Sequence, residues 1–188
     1  MYDRIAGSYQ LIYETLKGRK YPLELGYGAI PSSFVPIDKK TTVAACKYGC
    51  GLYGRNGGCP PFAPNFNEIP GNELLILYAR LETKHYPHRV LSGPYYTKWV
   101  LIETLLTPLT NRIGRRIAGL LDGYFLSSGN CQVCRPKRCA VKEGKRCRNP
   151  EGRSYSLEAT GVLVTELMKR FLGIELDWWR KGEPAYIP

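Results

Sequence analysis

The chain has 188 residues, 44% apolar and 23% charged, with 20 glycines, 14 prolines and seven cysteines, a composition that fits a globular domain and excludes a disordered or collagen-like chain. Its formal net charge of +11 is high for the length and points to a polyanionic partner or to a basic solvated surface. No apolar run reaches the roughly 18 residues of a membrane span, because Glu103 and Pro108 interrupt the longest one, and the N-terminal residues lack a signal peptide's apolar stretch, so a cytoplasmic protein with no membrane association is expected.

In chain order, residues 9–17 are expected to form a short helix and residues 41–45 a strand leading into Cys46. The apolar run at 73–81, bounded by Pro70, Gly71 and Asn72, reads as a buried strand. Helical spacing then links Trp99, Ile102, Leu105, Leu109, Ile113, Ile117 and Leu120 over about six turns, with Pro108 marking a kink or a fresh start capped by Thr107. Residues 124–126 read as a second strand that hands the chain to Cys131. Strand, helix and strand in that order make a right-handed crossover. The expected fold is therefore α/β, a small, partly parallel sheet with flanking helices and a cysteine-rich metal-binding loop. Residues 156–172 read as helical, with Glu166 and Arg170 at i and i+4 and Gly173 as terminator, and 174–178 as a last strand. No repeat or long linker divides the chain, so residues 1–188 are read as one domain with metal-binding loops at 46–62 and 129–153.

Seven cysteines without an export signal cannot all pair, and clustered thiols in the reducing cytoplasm commonly bind metal, intracellular disulfides of hyperthermophiles being the exception. They fall into two groups. Cys131, Cys134, Cys139 and Cys147 lie within 17 residues, separated by two, four and seven residues. Both a tetrahedral zinc and a [4Fe-4S] cubane take four thiolates, and this spacing leaves the two open. Cys46, Cys50 and Cys59 are interleaved with five glycines and followed by Pro60 and Pro61, so the backbone can turn tightly enough for the sulfurs to converge. Three thiolates on a cubane leave one iron free for a substrate or an outside ligand. A three-cysteine zinc site would instead want a nitrogen from His85 or His88, which also read as ordinary loop histidines.

The segment from Cys50 to Phe62, with Tyr53-Gly54 inside it and Cys59-Pro60-Pro61 at its end, together with Cys131, Cys134, Cys139, Cys147, Pro150 and the run Ser156-Leu157-Glu158-Ala159-Thr160-Gly161, resembles a prokaryotic family of cysteine-rich, predicted metal-binding proteins, a domain of unknown function. The resemblance spans roughly residues 46–165, with Gly57 in place of an expected Trp and Leu163 in place of an acidic residue. It implies metal, iron–sulfur before zinc, and carries no activity with it. One [4Fe-4S] cluster or two are expected, on Cys131, Cys134, Cys139 and Cys147 and on Cys46, Cys50 and Cys59, with zinc as the alternative.

Residues 131–153 carry eight Lys or Arg and two Glu, a net +6. Four thiolates and a [4Fe-4S] core total about −2, or about −3 when reduced, and nearby cations stabilise that charge. The surplus, with Arg112, Arg115 and Arg116 on one helical face, leaves Arg135, Lys137, Arg138, Lys145, Arg146 and Arg148 available to RNA or a ribonucleoprotein. Two functions stay open: an iron–sulfur protein in redox or sulfur-transfer chemistry, served by a redox partner, or a non-enzymatic RNA- or ribosome-binding protein whose metals are structural. No glycine-rich nucleotide-binding motif and no radical-cluster spacing is present. Asp3, Asp38, Asp122 and Asp177 are isolated and read as cap or turn acids.

Overall fold

The computed structural model describes residues 5–92, 102–176 and 186–187; Asp3, Trp99 and Asp177 lie outside them. Three long strands form an antiparallel sheet: β1 (Ile5–Glu14), β2 (Lys20–Pro31) and β3 (Glu73–Glu82). Glu14 lies opposite Lys20 across the hairpin turn, Leu25 opposite both Tyr9 and Ala79, and Ile30 opposite Leu74. The expected helix at 9–17 is thus a strand over most of its length. Leu11, Ile12 and Leu16 fit a helical spacing, but the competing alternation of Tyr9, Leu11 and Tyr13 wins, leaving Ile12 63% exposed while Leu11 and Tyr13 pack on the core.

The reverse error occurs at 41–45. Its β-branched residues suggest a strand, yet α1 (Lys39–Gly49) is a helix started by Asp38, whose carboxylate accepts from the Thr41 backbone N–H at 3.0 Å and from its hydroxyl at 2.6 Å. Those two bonds hold the Asp38 carboxyl below its ordinary range. Asp38 is a cap acid as expected, and Asp122 a turn acid at φ +50°.

Side chains on a strand alternate between faces, and this sheet covers both. Tyr21, Leu23, Leu25, Ala79 and Leu81 point to one side and join Leu105, Leu106 and Leu109. Ile30 and Ile76 point to the other, where Val35, Phe66, Val162, Leu167 and Met168 enclose them. Double coverage explains why 73–81 reads as a continuous apolar run and not as an alternating one. On the first side lie a π-type turn (Ile102–Leu106), α3 (Thr107–Leu120) and the single-turn α2 (His88–Leu91) that precedes them in the chain. Thr107 is the first residue of α3 and not its cap, and Pro108 occupies the first turn, where its missing N–H costs nothing.

Contrary to the crossover expectation, α3 does not return the chain to the main sheet. β4 (Leu126–Ser127) pairs in parallel with β5 (Tyr155–Ser156) in a separate two-stranded sheet; Tyr124 and Phe125 precede the strand. Parallel pairing is confined to this small sheet, because the main one is antiparallel throughout, including β6 (Tyr186–Ile187) beside Leu81 and Glu82.

The helix expected at 156–172 is broken into β5, a 3-10 turn (Glu158–Thr160), α4 (Val164–Leu167) and a π-type turn (Met168–Leu172). Gly161 causes the main break. It sits at φ +104°, its carbonyl accepts from Asp38 N–H at 2.8 Å, and a Cβ there would fall 2.9 Å from that of Lys39. Gly173 ends the segment at φ +68° as expected, and residues 174–176 form no strand.

Candidate metal centre

The end of α1 delivers the first cysteine group. Cys46 lies in its last turn, and Cys50 caps it by donating its N–H to the Cys46 carbonyl at 3.0 Å. A chain of tight turns follows, in which Cys59 N–H donates to Asn56 O at 3.0 Å and Phe62 N–H to Cys59 O at 2.9 Å, with a cis bond between Pro60 and Pro61. Both cysteine groups were expected to leave strand ends, and one of them does. The second does follow a strand end, β4, whereas the first leaves a helix.

The two loops meet along a short seam. Asn56, buried, accepts from Gly58 N–H at 2.9 Å through its side-chain oxygen and donates its amide to Cys131 O at 3.0 Å. Gly58 O accepts from Ser156 N–H at 2.8 Å, and Gly57 N–H donates to the Cys139 sulfur at 3.4 Å. Arg153 crosses the seam, giving its guanidinium N–H groups to the carbonyls of Gly57 and Phe62, the latter at 3.0 Å, while stacking 4.6 Å from the Tyr155 ring centre. Arg115 supports it from α3 through Gly152 O at 2.9 Å and Ser154 Oγ at 3.0 Å. The sequence carries no local signal for Asn56, and Arg153 enters it only as one of the eight cations of 131–153. Nothing in the spacing of either indicates a partner some 75 to 96 residues away.

Between the loops lies a cavity of about 140 Å³, lined by Cys131, Cys134, Cys139 and Cys147, all four members of the second group. Arg135, Lys137 and Arg153 also line it, and no histidine does. The Cys134 sulfur accepts from the Asn149 amide at 3.2 Å. Two of the four sulfurs thus receive N–H donors.

Cys46, Cys50 and Cys59 stand outside this cavity. Cys59 is only 6% exposed, and burial, reinforced by the neighbouring Cys50, Cys46, Cys131 and Glu158, pushes its thiol up to about 12. Burial, then Cys50 and Glu158, raises Cys46 as well. Cys46 and Cys50 lie one turn apart at the end of α1, and Gly58, next to Cys59, lies against Cys131. Among the described residues, no three His, Cys, Asp or Glu side chains are arranged to hold a single metal ion. His85 ends a 3-10 turn after β3 and His88 opens α2.

Of the basic residues, Arg112, Arg116, Arg135, Lys137, Arg138, Lys145, Arg146 and Arg148 are exposed. Arg115 is committed to the fold by its bonds to the second loop, Lys145 pairs with Glu143 at 3.0 Å, and Arg148 donates to the Arg138 carbonyl. No described helix is long and apolar enough to cross a membrane.

Searches of curated proteins and of solved structures find no significant match. The family model described as Predicted metal-binding protein (DUF2284) matches residues 29–187, a span that takes in both cysteine loops and the seam between them, and the chain belongs to that family.

Proposed function

We propose that this is an iron–sulfur protein in which Cys131, Cys134, Cys139 and Cys147 hold a [4Fe-4S] cluster, with a redox or sulfur-transfer role. The observation that carries the reading is the single cavity of about 140 Å³ faced by all four thiols. Four thiolates suit either a zinc ion or a cubane, and the family resemblance places iron–sulfur before zinc. When bound, such a cluster supplies one-electron transfer. The chain's own contribution is electrostatic. The Gly57 and Asn149 N–H donors and the cations Arg135, Lys137 and Arg153 stabilise negative charge on the sulfurs and favour the reduced state. Cys46, Cys50 and Cys59 form a second centre, or complete one shared with Cys131.

Protein purified without oxygen should contain about four iron and four acid-labile sulfide per chain for one centre, and about eight of each for two. Cys134→Ser and Cys147→Ser should each lower both counts in parallel. Stoichiometric zinc without sulfide overturns the cluster.

A second reading is favoured by the exposed cations Arg135, Lys137, Arg138, Arg146 and Arg148 around the same loop. In it the protein docks on RNA or a ribonucleoprotein. Five phosphate contacts to single-stranded RNA predict a loss of roughly 100-fold in affinity between 50 and 200 mM salt. A flat salt response in a gel-shift titration removes this reading.

A further inference from the structure

β1 closes one side of the main sheet, whose strands run in the order β1-β2-β3-β6. Its register with β2 is unbroken from Ile5 opposite Ala29 to Glu14 opposite Lys20, with no bulge. In such a ladder every other residue turns its N–H and C=O toward the neighbouring strand, and the rest turn theirs outward. Among the described residues, no backbone hydrogen bond outside the β1–β2 ladder involves residues 5–14, so the outward row has no backbone partner there. Edge strands of monomeric proteins are commonly blunted by a proline, a bulge or an interior lysine. β1 has none of these, and its one charged residue, Glu14, stands at its end beside Lys20. Ile5 and Tyr9 lie on the face shared with Leu11 and Tyr13, Ile12 lies on the other, and all three are more than half exposed. A helix laid over the sheet would cover one of those rows. A strand added alongside flanks both, and it also takes up the outward N–H and C=O groups.

We propose that β1 is a dimerisation edge, occupied by β1 of a second copy of this chain in antiparallel pairing about a two-fold axis. The order of the residues identifies the occupant. An axis perpendicular to the sheet keeps each face on its own side, so residues that meet must share a face and their numbers must sum to an even value. With the axis through Tyr9, Tyr9 meets its own copy, Ile5 meets Tyr13 of the second copy, Ala6 meets Ile12, Gly7 meets Leu11 and Ser8 meets Gln10. Apolar residues thus meet apolar ones on both faces. Ser8 and Gln10, the two non-aromatic polar side chains between Ile5 and Tyr13, stand symmetrically about the axis and meet each other. Glu14 falls beyond the paired positions, so no like charges are brought opposite one another even though each chain carries a net +11. Moving the axis to Gln10 would set Ile12 against Ser8 and Glu14 against Ala6, and the match is lost. Aromatic pairs and aromatic to β-branched pairs, such as Tyr9 with Tyr9 and Ile5 with Tyr13, are the favourable cross-strand combinations. The strand is therefore its own complement, and pairing joins the two main sheets into one continuous antiparallel sheet. Nothing in this depends on what the cysteine loops bind.

The experiment uses the full-length chain, treated with nuclease and kept anaerobic and reduced, because Cys50 is exposed and could otherwise link copies covalently. Sedimentation velocity across a dilution series should show the 21.2 kDa chain passing into a species of twice that mass as its concentration rises to about 100 µM. Amide hydrogen exchange of residues 5–13, read by mass spectrometry at the two ends of the series, should slow with concentration. Tyr9→Lys sets two like charges against each other on the axis and should weaken association at least about tenfold. Leu120→Lys adds the same charge at an exposed residue of α3 and should leave association unchanged. A chain that stays monomeric over the whole range overturns the proposal, as does association that nuclease abolishes, which is bridging by nucleic acid. Equal weakening by the two lysines also overturns it. So does a dimer whose residues 5–13 exchange at the same rate at both concentrations, since it pairs through another face. That exchange is read on the unsubstituted chain, so it decides the matter even where Tyr9→Lys fails to fold.

Discussion

Gly58→Ala should destabilise the protein by about 1–3 kcal/mol and strip metal from both cysteine loops together. A Cβ at this position would lie 2.4 Å from the Ser154 carbonyl oxygen, 2.8 Å from Cys131 Cβ and 3.0 Å from Cys131 N. Two of those three atoms are backbone and cannot rotate away. The methyl group can be accommodated only by parting the loops, which breaks the Asn56 to Cys131 and Ser156 to Gly58 bonds that register them. Gly49→Ala is the matched control, since nothing lies within 4 Å of its Cβ and it ends a helix, so its effect should stay within about 0.5 kcal/mol. Urea unfolding gives the stability and iron analysis the metal content. A Gly58→Ala protein with parental iron and stability would show that the loops do not depend on this close approach.

Leu167→Ala should cost about 2–5 kcal/mol. Leu167 is fully enclosed, at 0% exposure, on the sheet face shared by Ile30, Ile76 and Val162. Its position in α4, a single turn held between Gly161 and Gly173, leaves little rigid structure that can close over the void. The midpoint of urea unfolding should fall with an unchanged slope. Leu120→Ala, at a residue 76% exposed, should be nearly neutral.

The clustering of the second cysteine group was more legible in the sequence than the fold was. Thiol chemistry depends on residue type and clustering, both visible in one dimension, and the structure gathers Cys131, Cys134, Cys139 and Cys147 around one space. Strand β3 and helix α3 were also legible, the one as an unbroken apolar run and the other as a long helical stripe. What failed was decided by partners far away in the chain. The segment at 9–17 carries both a helical and an alternating pattern, and only pairing with β2 selects between them. Conversely, Asp38 overrides the strand propensity of Thr41, Thr42 and Val43 with two local hydrogen bonds. β4 was found close to its place but assigned to the wrong sheet, because its partner, Tyr155–Ser156, lies beyond the cysteine loop and looked like the start of a helix. Asn56 and Arg153 share that reason. Each acquires its role from a contact across the seam, and neither belongs to a local spacing.

The sheet also acts as a partition. Leu23 and Leu81 face the helical layer while Ile30 and Ile76 face the layer that bears the cysteines, so neighbouring residues of β2 and β3 serve different compartments. Energetic coupling between substitutions decays where no packing partner is shared. Changes in the α3 compartment should therefore combine additively with changes beneath the ligands, and one half of the molecule can drift in sequence without retuning the other. Among the described residues Arg115 is one exception, alongside the contact of Gly114 with Phe125. It reaches from α3 to Gly152 and Ser154, and so is a route by which a disturbance in the helical compartment would be transmitted to the cysteine loops.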